Sequence, residues 1–485
     1  MMSHEPETHL DRGRPWGEDT IVAISTAMGA GAIGIVRLSG PDAIVIAESV
    51  FRAARGGSIK PDETYSLLYG HVVNPETREP VDEVLLAVMR KPRSYTREDV
   101  VEVHCHGGVA AQRAVLRLMV RSGARLAEPG EFTRRAFLNG RIDLTQAESV
   151  AAIVAAKSSG ALRASVRQLE GGLSDRLRTA RRDLIGLLAH IEATVDFSDE
   201  DVEELDRGSL AKGLGEVQVE LLKLLRTAFL GRALQQGVRT AIVGKPNVGK
   251  SSLLNALLMR ERAIVSDIPG TTRDTVEELL EIGGVPIHLV DTAGIRSGGD
   301  HVERLGVERS VKAMEQADLV LAVIDLSVGP DEAERRLLGD LDTARSIVVG
   351  NKCDLLEGSR EALTEEIASR ASSGGTSPQG RRVCAVSALT GAGLEELRLL
   401  IQQVITGGED LHLEEPVLAS ERHRVLVGEA YESIGAALDG TSQGAGEELV
   451  CEDIRAAVSA LGRLTGEDLT PDLLDEIFSR FCLGK

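Results

Sequence analysis

Eight residues, Gly244-Lys-Pro-Asn-Val-Gly-Lys-Ser251, set two glycines, a lysine and a hydroxyl at the spacing Gly-x-x-x-x-Gly-Lys-Ser. The chemistry such a run can do is to hold phosphate. Glycines let backbone N–H groups curl around anionic oxygens, and a helix starting at the lysine adds positive potential. Lys250 is placed to neutralise the β- and γ-phosphates of a nucleoside triphosphate, and Ser251 to put its hydroxyl on Mg²⁺. The flanks fit, because apolar Thr240–Val243 precedes the run and a helix-like Leu253–Leu258 follows it. A single match of this kind can still be a chance glycine turn.

It does not stand alone. Asp291-Thr-Ala-Gly294, Asn351-Lys-Cys-Asp354 and Ser387-Ala388 follow in order, each at the end of a predicted strand. Asp291 can hold the metal's shell and the Gly294 amide can sense a γ-phosphate. A carboxylate at Asp354 accepts from guanine N1 and N2, a pairing adenine cannot match, so the spacing predicts GTP rather than ATP. Ser387-Ala388 lies near the base oxygen. Gly270-Thr-Thr-Arg-Asp274 is placed to be a first switch, with Thr272 the threonine expected to complete the Mg²⁺ shell.

Two features separate this pattern from the Ras type. Ile295 follows Gly294, so the usual water-positioning glutamine is missing, and no arginine finger can be assigned. Asn247 offers a side-chain oxygen near the phosphates. It could hold a monovalent cation in the arginine's place, or simply cap the loop, and chemistry alone leaves both open. A second switch over Arg296–Arg309 contains Asp300, Glu303 and Glu308. One of these could orient water, although most acids in such a loop are merely solvated.

The elements that position these residues alternate strand and helix over residues 237–408. Strands are predicted at Thr240–Val243, Ile287–Val290, Leu319–Ile324, Ile347–Val349 and Val383–Val386. Helical patterns between most of them predict a Ras-like, doubly wound parallel sheet. Ser372–Gly380 reads as a surface loop. Residues 139–236 and 413–485 read as two parts of one discontinuous helical domain, with the nucleotide domain inserted between them. The carboxylate-rich run Asp196–Asp206 could bind a cation, but an inter-helix loop is the simpler reading. Residues 1–19 read as a polar tail. Residues 20–138, with short apolar runs at Ile21–Ile24, Ile33–Leu38, Val84–Met89 and Val100–Val103 and a helix opening after Gly107-Gly108, read as an α/β domain.

The bulk numbers agree with several folded domains. The chain has 485 residues, and domains run to roughly 100–200 residues each. Aromatics make up only 2%, so the cores must rest on Leu, Val, Ile and Ala. A formal net charge of −20 excludes a protein that grips nucleic acid over its whole surface, and any RNA contact must be local or shared with a partner. The five cysteines (Cys105, Cys353, Cys384, Cys451 and Cys482) form no CxxC pair, so neither a disulfide framework nor a zinc site is expected. His104 and His106 share one face of a strand beside Cys105, but packing is preferred to metal there. No run approaches the ~18 apolar residues of a membrane span, and a cytoplasmic setting is expected.

The flanks carry a longer signal. Asp19-Thr-Ile-Val-Ala, Gly34-Ile-Val-Arg-Leu-Ser-Gly40, the stretch Ser94–Gly108, the stretch Pro129–Glu148 and the terminal Phe481-Cys-Leu-Gly-Lys485 resemble the MnmE (TrmE) family of tRNA-modification GTPases over nearly the whole chain. That resemblance implies an N-terminal tetrahydrofolate-binding domain, a helical domain and an inserted GTPase domain. It implies a homodimer, and a heterotetramer with the FAD protein MnmG. Together these add a (carboxymethyl)aminomethyl group to C5 of the wobble uridine of certain tRNAs. The one-carbon unit comes from a 5-formyl or methylene tetrahydrofolate.

By motif matching, the resemblance implies folate contacts at Arg37, Glu102, Arg141 and Lys485. Without it, a surface ion pair would be the preferred reading of each. It implies potassium held by Asn247 with Ser266, Ile268 and Thr271, and water oriented by Glu303. GTP contacts are then expected from Asn247, Val248, Gly249, Lys250, Ser251 and Ser252 in the first loop. Ser266, Asp267, Ile268, Pro269, Gly270, Thr271 and Thr272 contribute from the first switch. Asp291, Thr292, Ala293, Gly294, Asn351, Lys352, Asp354, Ser387 and Ala388 complete the set. Cys482, near the terminal lysine, could be an activated thiol or a buried small residue.

The departures are few. Thr26-Ala-Met-Gly29 replaces a proline-containing turn, Ser420 precedes Glu421-Arg-His423 where an asparagine is commoner, and residues 372–380 look inserted. The competing reading of the nucleotide motifs alone is a regulatory, ribosome-assembly type of GTPase switch. Such a switch would carry a compact basic RNA-binding domain, whereas these flanks do not.

Overall fold

The computed structural model describes residues 18–56, 59–60, 64–196, 207–260, 279–290, 314–371, 381–408, 415–468, 471–479, 481 and 484. The chain forms two compact units, residues 1–151 with 462–485 and residues 152–461.

The first unit is built on a seven-stranded sheet. Its strands are β1 (Ile21–Ile24), β2 (Ile33–Ser39), β3 (Phe51–Ala53), β4 (Ser66–Val73), β5 (Pro80–Met89), β6 (Val100–His106) and β7 (Arg125–Leu126). Their order is β3-β4-β5-β6-β2-β1-β7, antiparallel except for the parallel β1–β7 pair. Strand alternation decides which residues are buried and which stay available. Val36, Leu38, Val101 and Val103 lie in a core with Ala43, Ala47 and Val50 of the helix Ala43–Val50, and Val115 and Met119 of the helix Val109–Arg121. Arg37 and Glu102 therefore point to the other face, and the β2–β6 register sets them directly opposite one another.

That second face receives a smaller cluster of Ile21, Ala23, Ala127 and Phe132, with Tyr95 packed against it. The end of the chain returns to the same unit. Phe478 and Phe481 bury against Ala136, Ile142, Leu144 and Ala147. Gly130, at φ 71°, lets the chain approach closely, because a Cβ there would meet the Phe478 carbonyl oxygen at 2.6 Å.

The second unit contains a six-stranded sheet of β8 (Val238–Val243), β9 (Leu279–Ile282), β10 (Val285–Val290), β11 (Leu319–Asp325), β12 (Ser346–Asn351) and β13 (Arg382–Ala385). The order is β13-β12-β11-β8-β10-β9. All pairs are parallel except β9–β10. The expected parallel sheet thus carries one antiparallel edge strand. Gly283-Gly284, both at positive φ, make the two-residue turn that such a hairpin requires. Leu253, Leu254, Leu257, Leu394, Leu397 and Ile401 cover one face, and Leu338, Leu363 and Ile367 the other.

Helices fill the rest of this unit. They include Ser159–Leu169, Gly172–Asp196, Arg207–Arg226, Ala228–Gln236 and Glu421–Gln443. The helix Arg207–Arg226 packs along Glu421–Gln443, so segments on either side of the nucleotide sheet meet. Leu210, Leu214, Val217, Leu221 and Leu224 recur at helical spacing on one buried stripe, and Leu426, Val427, Ala430, Ile434 and Ala437 on the other. Of the acidic run, residues 197–206 lie outside the described residues, as does 372–380.

Candidate GTP site and the second cluster

The phosphate loop leaves β8 at Val243 and enters the helix Lys250–Arg260. β8 lies between β10 and β11, where the chain changes its direction of progress across the sheet, so the loop opens at the switch point where ligands of such sheets bind. Close packing explains its glycines. A Cβ on Gly244 would meet the Val323 carbonyl oxygen at 2.2 Å, and one on Gly249 would meet Asn351 Nδ2 at 2.1 Å. Asn247 is exposed and adopts φ 63°, a left-handed conformation that asparagine tolerates better than most residues. Its backbone is therefore a reason for an asparagine here, apart from any cation.

Lys250 folds back over the loop. Its Nζ donates to the Gly244 carbonyl at 2.7 Å and to the Lys245 carbonyl at 2.6 Å, and burial pushes its pKa down. Ser251 and Ser252 are exposed at the start of the helix, while Val248 is buried beneath it. The loop thus offers an ammonium, two hydroxyls and a helix N-terminus to an anion.

Asn351 joins the motifs. It is buried at the end of β12, donates from Nδ2 to the Val248 carbonyl at 2.9 Å, and accepts at Oδ1 from the Ala388 amide at 3.0 Å. One amide therefore fixes the phosphate loop to the segment after β13. The next residue, Lys352, takes φ 65°, and Asp354 follows in a short 3₁₀ turn, exposed at the same edge. Ser387 is fully buried, and its Oγ accepts from the Thr390 amide at 3.1 Å. Asn351, Lys352, Asp354, Ser387 and Ala388 are thereby gathered with the phosphate loop at the carboxyl ends of β8, β12 and β13, with β11 between β8 and β12.

Several expected residues cannot be placed. Ser266, Asp267, Ile268, Pro269, Gly270, Thr271 and Thr272, then Asp291, Thr292, Ala293, Gly294, Ile295 and Glu303, lie outside the described residues, as do Lys485 and Cys482.

In the first unit, Arg37, Glu102 and Tyr95 come together. Arg37 Nε donates to Glu102 Oε1 at 2.7 Å, and Arg37 Nη1 donates to the Gly484 carbonyl at 3.3 Å. The Arg37 guanidinium sits 5.9 Å from the Tyr95 ring centroid and 5.7 Å from that of Phe132. Arg141 stacks on the same Tyr95 ring at 4.8 Å. Gly484 is held against β1, where Ser25 Oγ also donates to its carbonyl at 3.1 Å. Arg37 and Glu102 thus do form an ion pair, as the plainer reading of each expected. They form it in a partly exposed setting with a second guanidinium, an aromatic ring and the chain end alongside.

Sequence reasoning missed the network behind this cluster. Arg135, 3% exposed, donates to Asp19, Glu98 and Glu131, while Arg125 binds Asp19 and Glu131. Burial raises the pKa of Asp19, but bonds from Arg125 and Arg135 outweigh it and leave the carboxyl below its ordinary range. Glu131 behaves alike, lowered by Arg125 and the Glu128 amide against the cost of burial. Charged residues spread over more than a hundred positions give no local signal of such a network.

Among His104, Cys105 and His106, only Cys105 is buried, and the two histidines pair with carboxylates. Burial pushes the Cys105 thiol up to about 11, and its Sγ meets the Gly34 carbonyl oxygen at 3.3 Å. His104 pairs with Glu102 and His106 with Asp82. Among the described residues, no group of three or more His, Cys, Asp and Glu could hold a metal ion, and no helix is long and apolar enough to cross a membrane.

Strand order, loop and motif placement define the class: a P-loop GTPase fold joined to helical and N-terminal α/β parts. Residues 20–141 match the model of the GTP-binding protein TrmE N-terminus, and residues 144–482 match that of the MnmE helical domain. The tRNA modification GTPase MnmE of Moorella thermoacetica is 46% identical over 469 residues, covering 96% of this chain and 100% of that protein. The protein of the same name from Acetivibrio thermocellus is 44% identical over 468 residues, covering 96% and 99%. Among solved structures, Era in complex with MgGDPNP and nucleotides 1506-1542 of 16S ribosomal RNA is 30% identical. It covers 40% of this chain and 66% of that one, with a TM-score of 0.27 that adds nothing to the assignment. The chain belongs to the MnmE family of tRNA modification GTPases.

Proposed function

We infer that this enzyme couples GTP hydrolysis to the addition of a (carboxymethyl)aminomethyl group at C5 of the wobble uridine of certain tRNAs. It acts in the cytoplasm as a homodimer with the flavoprotein MnmG. The observation that carries this reading is the full-length relation to tRNA modification GTPases in a chain that has both a nucleotide crevice and a second, separate polar cluster.

In the crevice, Lys250 balances phosphate charge, and Asp354 accepts from the guanine edge. Hard oxygen donors at Ser251 and Thr272 fit Mg²⁺, which prefers such ligands. Asn247 with Ser266, Ile268 and Thr271 fits potassium, and Glu303 orients water. The remaining GTP contacts are Val248, Gly249, Ser252, Asp267, Pro269 and Gly270, with Asp291 to Gly294, Asn351, Lys352, Ser387 and Ala388.

The second cluster fits a tetrahydrofolate. Guanidinium groups at Arg37 and Arg141, with Lys485, suit the folate carboxylates, and Glu102 suits the donors of a pterin. The Tyr95 ring, faced by both guanidiniums, holds them side by side for an anionic ligand. When bound, the folate would supply a one-carbon unit. The chain's own residues bind and orient it, and the Arg37–Glu102 pair keeps both charges in place beforehand.

The reading includes the division into a polar tail (1–19), a folate domain (20–138), a helical domain (139–236 with 413–485) and a GTPase domain (237–408). Titration with 5-formyl-tetrahydrofolate tests it. The full chain should bind saturably, and Arg37→Ala should weaken binding about tenfold or more, as loss of a charge-assisted bond does. Absence of any binding would remove folate from the account.

A further inference from the structure

The loop that leaves β11 belongs to none of the nucleotide motifs, yet it touches two of them. Asp325, the last residue of β11, is pulled in two directions by its two carboxylate oxygens. Oδ1 accepts from the Ser327 amide at 2.9 Å and from Ser327 Oγ at 2.6 Å, which closes a tight Asx turn. Oδ2 accepts from Lys352 Nζ at 2.5 Å. Six residues on, Asp331 takes Lys245 of the phosphate loop, with Glu334 Oε2 3.6 Å from the same ammonium. The segment Asp325–Asp331 therefore ties the base-side lysine and the phosphate-side lysine to one short loop.

The Asp325–Lys352 pair is well placed to matter. Asp325 is 16% exposed and Lys352 33%, so solvent screens the pair only in part. Lys352 is also held in a left-handed backbone conformation, between the Asn351 anchor and Asp354. A lysine side chain with its ammonium left loose samples many rotamers, and ordering it on ligand binding costs entropy. With the ammonium fixed on Asp325, the butyl stem is ordered before a ligand arrives.

We propose that Asp325 is a positioning residue for guanine-nucleotide binding, acting by fixing Lys352 at the base-side wall of the crevice. This rests on the reading of Asn351–Asp354 as the base-recognition segment. Because Oδ1 serves the turn and Oδ2 the lysine, the two roles can be separated. Asp325→Asn keeps a carbonyl oxygen for Ser327 and presents an amide to Lys352, so it removes the ion pair and spares the turn.

The test uses the full-length chain and fluorescent GDP and GTP analogues. Asp325→Asn should raise both dissociation constants, and KM for GTP, by about tenfold, the scale of one charge-assisted bond. kcat and the melting temperature of the nucleotide-free protein should stay as in the parent, and Asp325→Glu should recover part of the affinity. The decisive arm is Lys352→Met. Asp325→Asn should add nothing further in that background, since its effect runs through the lysine. If Asp325→Asn leaves affinity unchanged, weakens it equally in the Lys352→Met background, or lowers the melting temperature along with affinity, the proposal is overturned. If Lys352→Met itself leaves nucleotide affinity intact, the base-recognition reading has failed instead.

Discussion

A single side-chain amide, that of Asn351, bonds to the phosphate loop through the Val248 carbonyl and to the last strand's end through the Ala388 amide. Asn351→Ala leaves both backbone groups without that partner, at about 1–3 kcal/mol for each buried group. The variant should melt at lower temperature and bind GDP more weakly, as scanning calorimetry and nucleotide titration would register together. The Asn247 question also belongs to this scale. Its left-handed backbone explains an asparagine structurally, so only a rate can reveal a cation role. GTP turnover should be faster in potassium than in sodium at equal ionic strength, and equal rates would leave Asn247 with the loop-shaping role alone. The phosphate loop and Asn351-Lys-Cys-Asp354 were legible because each motif's chemistry is local. The Asp325–Lys352 and Lys245–Asp331 pairs were not, because each joins residues from different strand ends.

Among the elements, the five strands expected between residues 240 and 386 all occur, each with bounds within two residues of those expected. Apolar β-branched runs reveal buried parallel strands well. β9 was missed because Leu279–Ile282 carries two glutamate neighbours and one glutamate of its own, and it reads as polar edge. Its hairpin signal, Gly283-Gly284, was there to be used. In the first unit, β2 and β6 were found, but their register was not, and the register is what sets Arg37 against Glu102. The network of Asp19, Glu98, Glu131, Arg125 and Arg135 fastens β1 to the helix Glu131–Leu138. Asp19 and Glu131 are held below their ordinary pKa values, so the unfolded chain binds more protons than the folded one in acid. Their stabilisation is full above the ordinary carboxylate range and is lost as pH falls through the lowered folded values. The melting temperature should therefore drop between about pH 5 and about pH 3. Asp19→Asn should start lower at neutral pH and fall less over that interval; a parallel fall would deny the network this role.

For the whole molecule, a net charge of −20 and two compact units describe an enzyme that does not seize RNA by charge alone. Gly484 lies on the first unit's sheet beside Arg37, so residues far apart in the chain build one cluster. No spacing rule in the sequence links positions so far apart; the family resemblance implied Lys485 beside Arg37, and the described neighbour is Gly484. The nucleotide crevice and this cluster belong to one functional account if hydrolysis at the first governs modification supported by the second. The most direct test is mass-spectrometric nucleoside analysis of tRNA from cells lacking this chain, complemented with either the parent or Lys250→Ala. The account predicts that C5-aminomethyl-type wobble uridines vanish without the chain and return only with the parent. Normal levels of those nucleosides in the deleted cells, or their full return with Lys250→Ala, would contradict it.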